Sequence, residues 1–267
     1  MAEISASLVK ELRDQTGAPM MDCKRALQDT NGDIEAAKRL LRERGMASAE
    51  KRAGRATSEG KVGYRIADEG KRGTIVALGC ETEPVSNNDE FLAYAKKVLE
   101  AVEADGPGAE ARLDDERKEL SGKLGENIVV VGSARFEAVD GARIEGYAHP
   151  PAHKLGVLVQ LRGGSLELAR KVAMHIAASA PSWVTREDVP EEMVSTERDI
   201  FASSDEVQSK PEQARERIVE GMLNKRFFAD RVLADQPWIH DSAKTVAQAL
   251  ADEGAEVLEF ERLALTG

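Results

Sequence analysis

The chain has 267 residues, of which 42% are hydrophobic and 32% are charged, and its formal net charge is −11. This balance is typical of a globular protein with one large or two modest domains. The acidic excess is a poor match for nucleic acid phosphates, so any role in a nucleic-acid process is expected to run through a protein partner. No apolar run approaches the roughly 20 residues that span a bilayer, and the first residues lack the apolar stretch of a secretory signal, which together favour a cytoplasmic protein.

Residues 1–54 are predicted to form an N-terminal domain of three short helices. Apolar residues recur at helical spacing over 4–16, 21–30 and 33–45, and the third helix is expected to end at Gly45. Helices this short are marginal alone, so they are interpreted as a small bundle around one shared core.

Residues 55–139 are predicted to form a first core subdomain of the α+β class. A polar stretch leads into alternating apolar and polar residues over 61–66 and 73–79, a pattern typical of two strands paired as a hairpin. A helix follows, then a second helix over 113–124 and a third strand over 127–136. The expected product is a three-stranded antiparallel sheet with helices on one face.

The same order of elements recurs in residues 140–267, which are predicted to form a second, related subdomain. Alternation over 142–148 and 155–161 again predicts a hairpin, helices follow, and 255–263 is expected to be a final strand. The repeat is one of element order and not of residue identity. It predicts an α+β core made of two similar units.

An insertion over residues 191–235 interrupts the second subdomain. The segment is charged and helix-prone, with a turn near Pro211, which suits the first turn of a returning helix. It is predicted to form an antiparallel helical hairpin. Its apolar pattern is expected to be too thin for a core of its own, and consists of Ile200, Val207, Ile218, Met222 and Phe228.

Residue types that carry enzymatic or metal chemistry are sparse in this sequence. Cys23 and Cys80 have no paired spacing and are expected to be partly buried free thiols. His149 and His153 lie in a proline-rich loop without a neighbouring Cys or carboxylate, so a solvated turn is favoured over a metal site. The sequence has neither a phosphate-binding loop nor a nucleophile elbow. It therefore predicts an interaction protein without a cofactor, and not an enzyme.

Five stretches carry motifs that belong together. They are LVKELRDQTGAPMMDCKRAL (8–27), ALGCETEPVSNNDEF (77–91), GENI (125–128), KLGVLV with AMHIAAS (154–179) and RIVEGMLNK with QPW (217–238). In content and order they resemble the bacterial elongation factor Ts family. The resemblance implies a guanine-nucleotide exchange factor for elongation factor Tu, with a UBA-like N-terminal domain, a two-part core and a protruding antiparallel coiled coil. It implies binding to GDP-bound and nucleotide-free Tu, without direct contact to nucleic acid or membrane.

The resemblance implies a first Tu-contacting segment at the corner between the first two helices. Met20 and Met21 match exposed methionines of the family, and Arg13 is expected to lie close to them. Adjacent residues of a helix point in different directions, so both methionines cannot face one core. A flexible, polarizable methionine suits a groove on a partner.

The second implied segment is a strand-to-helix turn formed by Thr82, Glu83, Pro84 and Val85. The family usually has Thr, Asp, Phe and Val there, so this chain keeps the carboxylate and has a proline where an aromatic wedge is usual. A carboxylate at this turn is expected to disturb the magnesium and phosphate contacts that hold GDP. His175 matches a family histidine, and helical spacing places it at the edge of an apolar stripe, within reach of a partner.

Two other functions remain open on the residues alone. One is an adaptor that holds Tu without releasing its nucleotide, an alternative that Pro84 makes less remote. The other is a metal-dependent enzyme centred on His149 and His153. An unchanged rate of GDP release would indicate the adaptor, and absence of bound metal would exclude the enzyme.

Overall fold

The computed structural model describes residues 4–265, which form an α+β fold with two three-stranded antiparallel sheets, as the sequence predicted. The first sheet has the order β1–β2–β3, with strands Glu59–Ala67, Arg72–Cys80 and Val129–Glu137. The second has the order β4–β5–β6, with strands Ala142–Ala148, Leu155–Arg162 and Glu256–Ala264. No helix in the described range has both the length and the apolar character needed to cross a membrane.

The two sheets pack face to face, and each carries helices on its outer side. The central strands β2 and β5 are buried on both faces, because successive side chains point alternately to the other sheet and to the helices. The outer helices are α5 (Asp89–Asp105) and α6 (Asp114–Leu124) on the first sheet, and α7 (Leu166–Ser179) and α12 (Val246–Asp252) on the second. The layers therefore run helices, sheet, sheet, helices.

Glycines allow the two sheets to approach closely. A Cβ on Gly73 of β2 would lie 2.5 Å from the side chain of Ile144 in β4. A Cβ on Gly156 of β5 would lie 2.6 Å from the side chain of Val62 in β1. Side chains in packed interiors do not tolerate such separations, so each sheet accepts an aliphatic side chain of the other at a glycine.

Three helices precede the first sheet: α1 (Ala6–Thr16), α2 (Met20–Asp29) and α3 (Ile34–Arg52). The side chain of Ser5 caps α1 and that of Asp33 caps α3, while Gly17 ends α1 with a φ of 66°. The three helices share a core of Val9, Leu12, Cys23, Ala26, Leu27 and Ala37.

The sequence predicted that helix α3 ends at Gly45, and this is wrong, because the helix continues to Arg52. Gly45 lies inside the helix, where it packs against Gly122 of α6. Gly45 thus lies at a helix–helix contact and is not a helix stop, and only the tertiary structure distinguishes these two positions for a glycine. The longer helix packs against α6, so the N-terminal helices contact the helical layer of the first sheet.

The segment between α7 and α12 has a core of its own, so the expectation that its apolar pattern is too thin is wrong. It contains α8 (Glu191–Ser203), α9 (Asp205–Gln208), α10 (Glu212–Met222), a π-helical turn (Leu223–Phe228) and α11 (Ala229–Arg231). Its buried cluster comprises Val189, Val207, Val219, Met222, Leu223, Phe227, Phe228 and Val232. The π-helical turn brings both phenylalanines inward, which a period of 3.6 residues does not predict.

Candidate functional site: the turn after strand β2

The segment between β2 and α5 leaves the core as an exposed turn. Thr82, Glu83 and Pro84 are exposed, whereas Val85 is half-buried and packs against the core beneath α5. A single helical turn, α4 (Glu83–Ser86), has Pro84 in its first positions, where the missing N–H has no helical partner to lose. Three of the four predicted contact residues thus face solvent, and the fourth anchors the turn.

Two side chains fix the end of the turn that leads into α5. The hydroxyl of the buried Ser86 donates to the carbonyl O of Glu83 at 2.8 Å. The side-chain oxygen of Asn88 accepts from the N–H groups of Glu90 and Phe91 and so caps α5. The turn is therefore held to the helix that follows it.

The carboxylate of Glu126 fixes the other end of the turn. Its Oε2 accepts from the backbone N–H groups of Glu81 and Thr82, both at 3.0 Å. Its Oε1 accepts from the Thr82 hydroxyl at 2.5 Å. Hydrogen bonds to an ionised acceptor are stronger than neutral ones. Glu126 lies in the loop between α6 and β3, so a separate part of the chain holds the turn.

A second set of bonds links the same two loops in the opposite direction. Glu81 Oε1 accepts from the N–H of Asn127 at 2.7 Å, and Glu81 pairs with Arg55 at 3.4 Å. The buried side-chain amide of Asn127 donates to the carbonyl oxygens of Ala53 and Arg55, at 3.4 and 2.8 Å. The residues that meet here, called the Glu126 junction below, are Ala53, Arg55, Glu81, Thr82, Glu126 and Asn127.

Cys80 lies beneath the turn as a packing residue. Burial raises the pKa of its thiol to about 12, so the thiol stays protonated at neutral pH. Its S–H donates to the carbonyl O of Thr82 at 3.3 Å. Cys23 and Cys80 are both free thiols, and both are fully buried rather than partly buried as the sequence predicted.

The other predicted contact segment lies at the corner between α1 and α2. Met20 and Met21 are 48% and 61% exposed, so neither fills the core of the helices. Arg13 is exposed in the last turn of α1, and its carbonyl O accepts from the N–H of Gly17 at 2.7 Å. All three side chains are thus exposed, on the helix ends that flank the connection between α1 and α2.

Lys123, at the end of α6, connects this corner with the helix that follows the turn. Its aliphatic stem packs on Gly17, where a Cβ would lie 1.9 Å from Lys123 Cε. Its Nζ pairs with Glu90 in the first turn of α5 at 2.7 Å. Beside this bridge a cleft of about 880 Å³ is lined by residues of α2, α3, α5 and α6. Charged groups of the two walls pair across it, as Arg42 does with Glu119.

The expected position of His175 at the edge of an apolar stripe is wrong, because its side chain is fully buried. Residues 236–240 cover the face of α7 that helical spacing left open, and the ring of Trp238 lies 5.2 Å from that of His175. This covering loop follows the insertion in sequence, so a pattern confined to α7 does not reveal it. A role of His175 in partner binding stays a prediction, and it would act through residues 236–240.

Hydrogen bonds define which ring nitrogen of His175 carries the proton. The Gln236 amide donates to the carbonyl oxygens of Ser179 and Asp230, so its Oε1 is left to accept from His175 Nε2–H at 2.9 Å. The N–H of Ile239 donates to His175 Nδ1 at 3.4 Å. Burial lowers the pKa of His175 and outweighs the hydrogen bond to Gln236, which raises it, so the ring is neutral at neutral pH.

His149 and His153, the weak candidates for a metal site, lie in an exposed loop. The Nδ1 of His149 is 2.8 Å from the hydroxyl of Tyr147, and the N–H of His153 donates to the His149 carbonyl O at 3.0 Å. Throughout residues 4–265, no three side chains of His, Cys, Asp or Glu are grouped so that they could hold a metal ion.

The supporting residues of the turn were not predicted from the sequence. Glu126 and Asn127 belong to the GENI motif, but nothing in that motif assigns them a structural role. The pairing of β2 with β3 could have indicated their role. Gly79 lies opposite Val129, so residues 81 and 127 face each other just beyond the sheet. An antiparallel register carried two residues further would have brought Glu81 to Asn127.

Comparisons with known proteins give matches over most of the chain. A family model described as elongation factor TS matches residues 81–266. Elongation factor Ts of Methylococcus capsulatus is 40% identical to the chain, over 97% of this chain and 91% of its own length. Elongation factor Ts of Thioalkalivibrio sulfidiphilus is also 40% identical with the same coverage, and that of Teredinibacter turnerae is 42% identical over 97% of this chain and 89% of its own. The chain therefore belongs to the elongation factor Ts family of translation elongation factors, and it is not an enzyme.

Proposed function

We propose that the chain is the guanine-nucleotide exchange factor of elongation factor Tu. It binds Tu·GDP, disturbs the magnesium and phosphate contacts of the nucleotide, and promotes GDP release, after which GTP binds. The observation that carries the proposal is the exposed turn at Thr82–Val85, which is fixed at both ends and presents a carboxylate and a rigid ring to solvent.

The chemistry of the turn suits this task. Tu holds GDP through Mg²⁺ and through polar contacts to the phosphates, so a carboxylate brought near the ion competes with those contacts. Glu83 supplies the carboxylate, and Pro84 adds a ring with a fixed φ that does not have to be ordered on binding. The chain then weakens GDP binding without making or breaking a covalent bond.

Exchange follows from thermodynamic linkage. A factor that binds nucleotide-free Tu more tightly than Tu·GDP lowers the affinity of Tu for GDP by the same ratio. The exposed corner with Met20, Met21 and Arg13 supplies a second contact that helps to hold the nucleotide-free form. The partner of the chain is thus Tu in its GDP-bound and nucleotide-free states, in the cytoplasm, and the chain makes no direct contact with nucleic acid.

Release of a fluorescent GDP analogue from Tu, followed by stopped flow against excess unlabelled GDP, tests the proposal. We expect the release rate to rise with the concentration of the chain and to reach a plateau. The same titration with EDTA in place of Mg²⁺ should show a smaller stimulation, because the contact that the chain disturbs is already absent.

The adaptor alternative makes a different prediction in the same experiment. A chain that forms a stable complex with Tu but leaves the release rate unchanged is an adaptor, and the exchange proposal then fails. Gel filtration with nucleotide-free Tu supplies the binding measurement. Absence of any complex would contradict both functions.

A further inference from the structure

We propose that Glu126 is a positioning residue for nucleotide exchange, which holds the turn at residues 82–85 in the geometry that engages Tu. The inference rests on the function proposed above. One carboxylate accepts three hydrogen bonds from two successive residues, Glu81 and Thr82, at the point where the chain leaves the sheet. These hydrogen bonds fix the backbone at residues 81 and 82, where the turn begins.

The junction changes the interpretation of Thr82. The resemblance implied that its side chain contacts Tu, but its hydroxyl donates to Glu126 within this chain. The residues left to face a partner are Glu83 and Pro84, both exposed. We therefore assign Thr82 and Glu126 to the support of the turn, and Glu83 and Pro84 to contact.

Pre-organisation is the physical reason for such a support. A loop that becomes ordered only on binding loses conformational entropy at that moment, and this loss weakens binding or slows the step that needs the ordered form. A fixed turn meets the nucleotide site without that loss. Small displacements of a group that acts at short range have large effects on rate.

The junction also holds the turn in register with the N-terminal helices. Asn127, next to Glu126, binds the carbonyl oxygens of Ala53 and Arg55, directly after α3. The loop that contains Glu126 and Asn127 therefore bonds both to the turn at residue 83 and to the end of the N-terminal helices, which carry Met20. A partner that binds both segments meets a pair of contacts with a fixed spacing.

Two substitutions of Glu126 separate positioning from a direct electrostatic action. Glu126→Ala removes every acceptor of the junction carboxylate. Glu126→Gln removes the charge but keeps the geometry, because an amide oxygen accepts the two N–H bonds while the amide NH₂ donates to the Thr82 hydroxyl. We expect Glu126→Ala to lower the plateau rate of GDP release about tenfold and Glu126→Gln to stay within about twofold of the parent.

The measurement is the plateau rate and the half-saturating concentration of each variant, with Tu·fluorescent-GDP as the probe. A merely structural defect reduces the amount of competent protein, so it raises the apparent half-saturating concentration and leaves the plateau unchanged. A parental plateau for Glu126→Ala, or equal losses in both variants, would overturn the inference. If the parent itself fails to release GDP, the proposed function fails instead.

A double-mutant cycle supplies a second test, and its Thr82→Val arm serves alone if Glu126→Ala folds poorly. Thr82→Val removes only the hydroxyl bond, and we expect it to lower the plateau about threefold. Combined with Glu126→Ala it should add no further loss, because both changes act on one support. Fully additive losses would overturn the assignment. Glu212→Ala, at an exposed position of α10, controls for the loss of a carboxylate.

Discussion

Gly45 of α3 and Gly122 of α6 lie in direct backbone contact, and their surroundings are unequal. A Cβ on Gly122 would lie 2.6 Å from the Cα of Gly45, whereas a Cβ on Gly45 would lie 3.6 Å from the Cα of Gly122. The first separation is a clash with backbone, and the second is an ordinary van der Waals contact. The crossing of the two helices therefore requires a glycine on α6 but not on α3.

This asymmetry predicts opposite effects of two alanine substitutions. Gly122→Ala should lower the free energy of unfolding by about 1–3 kcal/mol, because the methyl group forces α3 and α6 apart. Gly45→Ala should be neutral or stabilising by up to about 1 kcal/mol, since alanine favours the helix more than glycine does. Urea unfolding followed by circular dichroism measures both. A loss for Gly45→Ala as large as that for Gly122→Ala would contradict the packing described here.

The strands of the fold could be predicted from the sequence because their patterns are local. The two hairpins, the third strand of each sheet and the helix after Asn88 follow from alternation, helical spacing and capping residues. The end of α3 could not be predicted, since a glycine at a helix crossing and a glycine at a helix end look alike. The core around Phe227 was missed because a π-helical turn departs from the helical period.

The candidate site divides in the same way. Exposure of the turn after β2 could be expected, because a polar segment with Pro84 follows a buried strand. The support by Glu126 depends on how two loops meet across a sheet edge, which is a tertiary property. The burial of His175 depends on residues 236–240, more than 60 positions along the chain, which no helical pattern reports.

Truncation of Glu83 or Pro84 is expected to slow GDP release without unfolding the chain. Both side chains are exposed, and the hydrogen bonds of the turn use the backbone carbonyl of Glu83, which Glu83→Ala retains. We expect Glu83→Ala and Pro84→Ala each to lower stimulated release about three- to tenfold, equivalent to about 0.7–1.4 kcal/mol. The same stopped-flow assay checks the rates, and thermal melts check the fold.

Two matched variants sharpen this test. Asp115→Ala removes an exposed carboxylate from α6 and should leave the release rate unchanged. Pro84→Phe restores the aromatic residue that the family usually has, and it should raise the rate if that position acts as a wedge. Parental rates in both Glu83→Ala and Pro84→Ala would show that another surface promotes release.

Met20→Asp is expected to weaken binding to Tu while leaving the chain folded. Met20 is 48% exposed at the first position of α2, where an acidic side chain interacts favourably with the helix N-terminus. We expect the half-saturating concentration for GDP release to rise about tenfold and Tm to change by less than about 2 °C. Met193→Asp, at a partly exposed position of α8, is the control for loss of a surface methionine. A weaker affinity accompanied by a clear fall in Tm would instead indicate that Met20 is a core residue.

The buried His175 should make the stability of the chain depend on pH. Because burial lowers its pKa in the folded state below the ordinary value of 6.5, the unfolded chain takes up its proton first as the pH falls. The stabilisation of the neutral ring is therefore fully present above about pH 6.5 and is lost as the pH falls below that value. A protonated ring would also place an Nδ1–H against the N–H of Ile239 and open the loop at residues 236–240.

One proton corresponds to a slope of up to about 1.4 kcal/mol per pH unit below pH 6.5. His175→Gln keeps a donor toward Gln236 but has no group that titrates in this range, so we expect lower stability at pH 7.5 and a shallower slope between pH 6.5 and 5. His240→Gln, an exposed position on the same loop, should keep most of the parental slope. Urea unfolding at several pH values measures these slopes. If the free energy of unfolding of His175→Gln falls with pH as steeply as that of the parent, the carboxylates alone set the acid sensitivity. The hydrogen bonds of His175 would then not hold this loop on α7.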